Sequence, residues 1–240
     1  MLPKERVQAA FEHRPSDKVP IYQAGFSSYA ASIVLGREAY TGGGIQQFRE
    51  ARALWNGPDA HAEFLERSRT DAFEIADVLD LDLIRVSYWR MQEKPTRKID
   101  EHTYVYGDES SDTWRVMTFD PTTELYQVTA RAPKPEPTLE DLERLLPAAP
   151  PDPAAYRPRP SSWPDLVAAV ERFGRHRAIP GTGTSLCIPR ETIWLEACLL
   201  RPDLVGRYLD RQVARVSGCV AAMAEMGLRY LCGGGDFAGP

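Results

Sequence analysis

The chain has 240 residues, a net charge of -5, 43% hydrophobic and 26% charged residues, which is enough apolar content for a sizeable core and excludes a wholly disordered or collagen-like chain. The acidic balance supplies no basic footprint for nucleic acid. Charged residues in Met1-Leu2-Pro3-Lys4-Glu5-Arg6 stand where a secretory signal needs an apolar stretch, and no later run approaches the roughly 18 apolar residues of a membrane span, so a cytoplasmic protein is expected.

Val7, Ala10 and Phe11 at helical spacing predict a helix over 3–13, broken by Arg14-Pro15-Ser16-Asp17. Val19-Pro20-Ile21-Tyr22 is the first candidate strand. A small-residue helix over 30–35 precedes the loop Thr41-Gly42-Gly43-Gly44, and the pattern over 45–79 is divided into two helices at Gly57-Pro58. Residues 81–86, short and apolar directly after a helix, read as a buried parallel strand. Thr103-Tyr104-Val105-Tyr106 and Thr113-Trp114-Arg115-Val116 flank Gly107-Asp108-Glu109-Ser110, which signals a β-hairpin within an insertion spanning about 98–131.

Residues 132–164 are rich in proline and predict an extended crossing segment, interrupted by a helix over 138–146 that opens with the capping pattern Thr138-Leu139-Glu140-Asp141. A Pro-rich recognition sequence is the rival reading. A helix over 163–173 leads to a third strand, 177–180, and the loop Gly181-Thr182-Gly183-Thr184-Ser185. Two more helices follow, the second running over about 202–226 and capped at Gly227, before a fourth strand at 228–232. Helix and strand thus alternate four times, with glycine or polar residues after each strand. That order predicts one partial α/β domain over 1–240, of the (β/α)8 TIM-barrel type and stopping after the fourth strand.

Cys187, Cys198, Cys219 and Cys232 lack C-x-x-C or His-x-Cys spacing, so they signal neither a disulfide framework nor a zinc site and read as buried small hydrophobes. His13, His61, His102 and His176 are dispersed and read as surface or packing residues. No metal site and no cofactor are expected within the chain.

The whole chain resembles the uroporphyrinogen decarboxylase superfamily, which also contains methyltransferases acting on corrinoid proteins. The resemblance is carried by Glu5-Arg6-Val7-Gln8-Ala9-Ala10 followed by Asp17-Lys18-Val19-Pro20-Ile21, by residues 192–199 with 202–208, and by Gly233-Gly234-Gly235-Asp236-Phe237-Ala238-Gly239-Pro240. Because that barrel has eight strands, the resemblance implies that roughly the last third of a family-length protein lies beyond Pro240.

In the family's decarboxylases an arginine in Gln-Ala-Gly-Arg grips substrate carboxylates; here Gln23-Ala24-Gly25 is followed by Phe26. The decarboxylase also carries an aspartate at the end of its second strand, where this chain has Ser87-Tyr88-Trp89-Arg90. Asp80 and Asp82 precede that strand and read as helix-end and turn residues on the opposite rim. The resemblance implies a zinc ion in a full-length form, through His and Cys ligands beyond Pro240.

Asp236, in a glycine setting after the fourth strand, is the candidate catalytic carboxylate, and a helix-capping role is its alternative. Gln23, Tyr88, Arg90 and Thr182 follow strands and are candidate substrate-binding residues. The leading expectation is methyl transfer between a small methylated substrate and a corrinoid protein or thiol. Decarboxylation of uroporphyrinogen is the alternative, and a non-catalytic truncated barrel or binding module is a third reading. A small-molecule substrate and a corrinoid protein are the expected partners, with no nucleic acid and no membrane.

Overall fold

A computed structural model describes residues 1–23, 25–85, 90–91, 93–133, 136–146 and 152–233. The protein combines helices with sheet and divides into two compact units: Met1–Lys134 with Glu171–Ala178, and Pro135–Val170 with Ile179–Pro240.

The first unit opens with α1 (Pro3–Phe11), α2 (Ser28–Leu35), α3 (Gly44–Asn56) and α4 (Pro58–Val78). The break between the last two falls at Gly57, whose φ of +119° suits glycine, and Pro58 takes the first helical position, where its missing N–H forfeits no bond. A four-stranded antiparallel sheet follows in the order β1 (Arg97–Lys98), β2 (Thr103–Tyr106), β3 (Arg115–Asp120) and β4 (Leu125–Arg131). It contains more than the expected hairpin, because residues 121–124 form a second turn.

Phe48 of α3 stacks on Phe119 at 4.4 Å within a buried cluster that includes Tyr104, Tyr106, Met117 and Tyr126. Each large apolar side chain so buried stabilises the fold by roughly 1.5–3 kcal/mol. Gly44 permits this packing: a Cβ there would stand 2.5 Å from the Glu124 carbonyl oxygen and 2.6 Å from the Tyr126 nitrogen. The Tyr106 and Tyr126 hydroxyls share a hydrogen bond of 2.8 Å inside the cluster, and burial pushes the Tyr106 phenol up to about 12.

Parallel pairing in this unit is short. Tyr22 bridges Leu83, and Leu83 bridges Ala178, both in parallel. The Ile21 carbonyl accepts from Asp82 N at 2.9 Å and the Ala178 carbonyl from Ile84 N at 3.0 Å, whereas Pro20 has no N–H with which to extend the ladder.

The second unit begins with α5 (Leu139–Leu145), which Thr138 and Asp141 close in a reciprocal capping box. The 3-10 turns Pro153–Tyr156 and Pro160–Ser162 follow. Next comes α6 (Pro164–Phe173), whose residues from Glu171 onward belong to the first unit. Then come β5 (Pro180–Gly181), α7 (Thr192–Leu200), α8 (Pro202–Glu225) and β6 (Tyr230–Leu231).

β5 and β6 pair in parallel, Pro180 with Tyr230 and Gly181 with Leu231. Leu142, Leu146, Ile193, Trp194, Ala197, Leu204 and Val205 form the unit's core cluster. The described residues contain no closed barrel: their extended sheet is the antiparallel one, and parallel pairing consists of these short ladders.

One expectation is overturned. Cys187 and Cys198 are exposed, and Cys219 and Cys232 are half-buried. α7 turns its Ile193-Trp194-Ala197 face into the core and leaves Cys198 outside, so the helical phase outweighs the usual preference of a free thiol for burial.

Candidate functional site

Gln23 immediately follows the Tyr22 bridge, is exposed, and donates from Nε2 to the Gly25 carbonyl at 2.8 Å. Phe26, three residues on, packs against Ala31, Ala39 and Ile75. That turn is fastened from behind by the Thr41 hydroxyl, which donates to the Phe26 carbonyl at 3.2 Å.

The start of this segment is held by Asp82, which is fully buried. One of its oxygens accepts the Ile21 N–H at 2.7 Å, and the other takes the Arg6 guanidinium at 2.8 Å. Asp82 thus anchors the first extended segment from the end at which that segment enters. Asp80 pairs with Lys18 at 2.8 Å. Both aspartates bind structural partners, in keeping with turn and helix-end roles.

A heavily engaged charged group in the first unit is Glu50 on α3, a residue the pattern of the sequence did not single out. It is fully buried. Oε1 accepts from Arg90 Nε at 2.8 Å and His61 Nε2 lies 3.1 Å away, while Oε2 accepts the Met91 N–H. Burial by itself would raise the Glu50 carboxyl, but the Arg90 and His61 contacts and the Met91 N–H outweigh it and hold the group below the ordinary glutamate range. A carboxylate kept ionised and occupied on both oxygens acts as a brace on the backbone at Met91 rather than as a proton carrier.

The available signal was polar residues on a core-facing stripe: Gln46 and Glu50 stand at i and i+4, and both are fully buried. Beside them the Tyr40 ring lies under two guanidinium groups, Arg67 at 3.8 Å and Arg49 at 4.2 Å from its centroid. Glu38 pairs with both arginines, so this cluster carries its own counter-charge.

In the second unit, Thr182 follows β5 and is half-buried. Gly181 packs closely on α8 and β6: a Cβ there would come within 2.3 Å of Met223 Sδ and 3.0 Å of the Leu231 side chain, both of which would have to shift. Gly183 adopts φ +77° with open space around it, a backbone turn that glycine makes without strain. The loop is tied to the end of β6 by Cys232 N donating to the Gly181 carbonyl at 2.7 Å and by the Thr184 hydroxyl donating to the Cys232 carbonyl at 3.3 Å.

Of the candidates from sequence, Gln23 and Arg90 belong to the first unit and Thr182 to the second. The Arg90 guanidinium rests on Glu50, with Nη2 2.7 Å from Oε1. Tyr88 and Asp236 lie outside the described residues. Among the described residues no three His, Cys, Asp or Glu side chains gather as metal ligands do; the ligands of the zinc implied by the resemblance would lie beyond Pro240. No helix among them is long and apolar enough to cross a membrane.

No protein-family model, no curated protein and no solved structure matches this chain.

Proposed function

We propose that the protein builds the first four strands of a TIM-type barrel of the uroporphyrinogen decarboxylase kind, and that its chemistry is methyl transfer between a small methylated substrate and a corrinoid protein or thiol. The barrel reading is supported by parallel neighbours in the expected pairs, Tyr22 with Leu83, Leu83 with Ala178, and Pro180 with Tyr230. Exposed apolar residues on the first segment, Val19 at 82% and Ile21 at 46%, are what an uncovered barrel edge presents.

The observation that carries methyl transfer over decarboxylation is Phe26. At the position where the decarboxylase grips substrate carboxylates with arginine, this chain places a ring packed on Ala31, Ala39 and Ile75, and a ring cannot pair with an anion as a guanidinium does. Asp236 is the proposed catalytic carboxylate. Gln23, Tyr88 and Thr182 are the proposed substrate contacts, and Arg90 acts through its hold on Glu50.

The test supplies methylcob(III)alamin and a small thiol and follows the corrinoid spectrum, with uroporphyrinogen in a parallel reaction. The cobalt–carbon bond breaks heterolytically, sulfur takes the methyl group, the electron pair stays on cobalt as free cob(I)alamin, and the thiol proton is released to solvent. Demethylation well above the thiol-only rate is expected of a full-length form that carries the zinc ligands the resemblance places beyond Pro240. Carbon dioxide release from uroporphyrinogen above a heat-killed control establishes the decarboxylase alternative instead, and silence in both reactions favours a non-catalytic binding module.

A further inference from the structure

Unit two contains a cavity of about 500 Å³ set among α5, the turn Pro153–Tyr156, α7 and α8, within the usual size range of small-molecule sites. Its walls are apolar and aromatic: Leu142 and Leu146 are buried, and the Trp194 and Tyr208 rings stand 4.4 Å apart. Arg211 and Arg215 complete the lining from α8, one helical turn apart on the face that carries Tyr208.

Among the described residues no acid neutralises the charge on this lining. Arg201 and Arg207, nearer the start of the same helix, pair with Glu143 and Asp203. Among the described residues Arg211 donates only to the Leu145 carbonyl, at 3.0 Å, and no acid pairs with it or with Arg215. Two like charges at i and i+4 repel each other, and an anion placed between them would remove the penalty. The neighbouring amide of Gln212 is already committed, donating to the Cys187 carbonyl at 2.7 Å and accepting its N–H at 3.1 Å.

We propose that this cavity binds a small amphipathic carboxylate, its aromatic or branched apolar body against Trp194 and Tyr208 and its carboxylate on Arg215 and Arg211. The pairing of an apolar chamber with two unneutralised guanidinium groups selects such a ligand over a neutral hydrophobe, whose binding would leave the repulsion in place, and over a small hydrophilic anion, which would leave the aromatic wall wet.

The test is calorimetric titration of the full chain with 1-naphthoate and with 1-naphthalenemethanol, its neutral counterpart. Saturable binding of one naphthoate per chain is expected, at least tenfold tighter than the alcohol. Arg215→Gln should weaken naphthoate about tenfold and leave the alcohol unchanged. Arg215 is exposed, so the variant should fold, and Trp194→Ala should weaken both ligands. Absence of saturable binding, equal affinity for the two ligands, or an Arg215→Gln variant that binds naphthoate as the parent does overturns the proposal. So does an acidic amphipathic peptide that binds where naphthoate does not.

Discussion

Arg90 reaches across 40 residues of chain to place Nε 2.8 Å from Oε1 of Glu50, a carboxylate with no exposed surface. This contact connects the segment that follows Leu83 to the centre of α3, and the backbone N–H of Met91 strengthens it on the other oxygen. Removing one member of a buried pair leaves the other charge without compensation, which costs more than the pair itself contributes.

Glu50→Ala is therefore expected to destabilise the protein by about 3 kcal/mol, measured as a loss of urea midpoint. Glu50→Gln, which keeps an acceptor for the Met91 N–H, should cost less. A variant as stable as the parent would show that the brace carries no load.

Stability should depend on acid in a set direction. The carboxyls of Glu50, Asp17 and Asp80 are all held below their ordinary range: Glu50 by Arg90 and His61 against burial, Asp17 chiefly by Arg6, and Asp80 chiefly by Lys18. A depressed carboxyl pKa means that the unfolded chain binds more protons in acid, so the contribution is complete above the unfolded value of about 4 and is lost as pH falls through the folded values. Urea midpoints should be nearly level from pH 7 to 5 with respect to these groups and decline below about pH 4, and Glu50→Gln should show a shallower decline.

Gly218 of α8 lies against the turn Pro153–Tyr156, where an added Cβ would stand 2.6 Å from the Pro153 carbonyl oxygen and 2.9 Å from the Tyr156 carbonyl carbon. Alanine improves helix propensity by about 1 kcal/mol, but both obstructing atoms are backbone and cannot swing aside. Gly218→Ala should lower stability by about 1–3 kcal/mol net and shift Tyr156 at the cavity wall, weakening naphthoate. An unchanged or raised midpoint would mean that the turn yields freely.

The exposed thiols of Cys187 and Cys198 should react with a disulfide reagent such as DTNB in the native protein, ahead of half-buried Cys219 and Cys232. Cys198→Ser should remove one fast equivalent without a measurable change in stability. Four thiols that become reactive only on unfolding would contradict the placement.

Local chemistry was legible in the residues themselves. Gly57-Pro58 divides α3 from α4 because glycine takes a positive φ and proline tolerates the first helical position. Thr138 with Asp141 caps α5, and Gly227, at φ +81°, ends the helical run after α8. Each signal acts over a few residues, where backbone sterics and one hydrogen bond decide the outcome. Asp80 and Asp82 were also readable as turn and helix-end residues from their position before a strand.

Tertiary structure decided whatever depends on partners distant in the chain. Burial of Glu50 depends on Arg90, His61 and Met91 arriving from other segments, and no local pattern encodes that convergence. The short parallel ladders at Tyr22, Leu83 and Ala178 are similar, since the length of a strand is set by which neighbours can donate and accept. Cys198 is exposed because helix phase outweighs residue preference. The cavity in the second unit exists because Gly218 lets a turn approach α8 while Trp194 and Tyr208 meet across two helices, and only the fold decides that, among the described residues, no acid pairs with its two arginines.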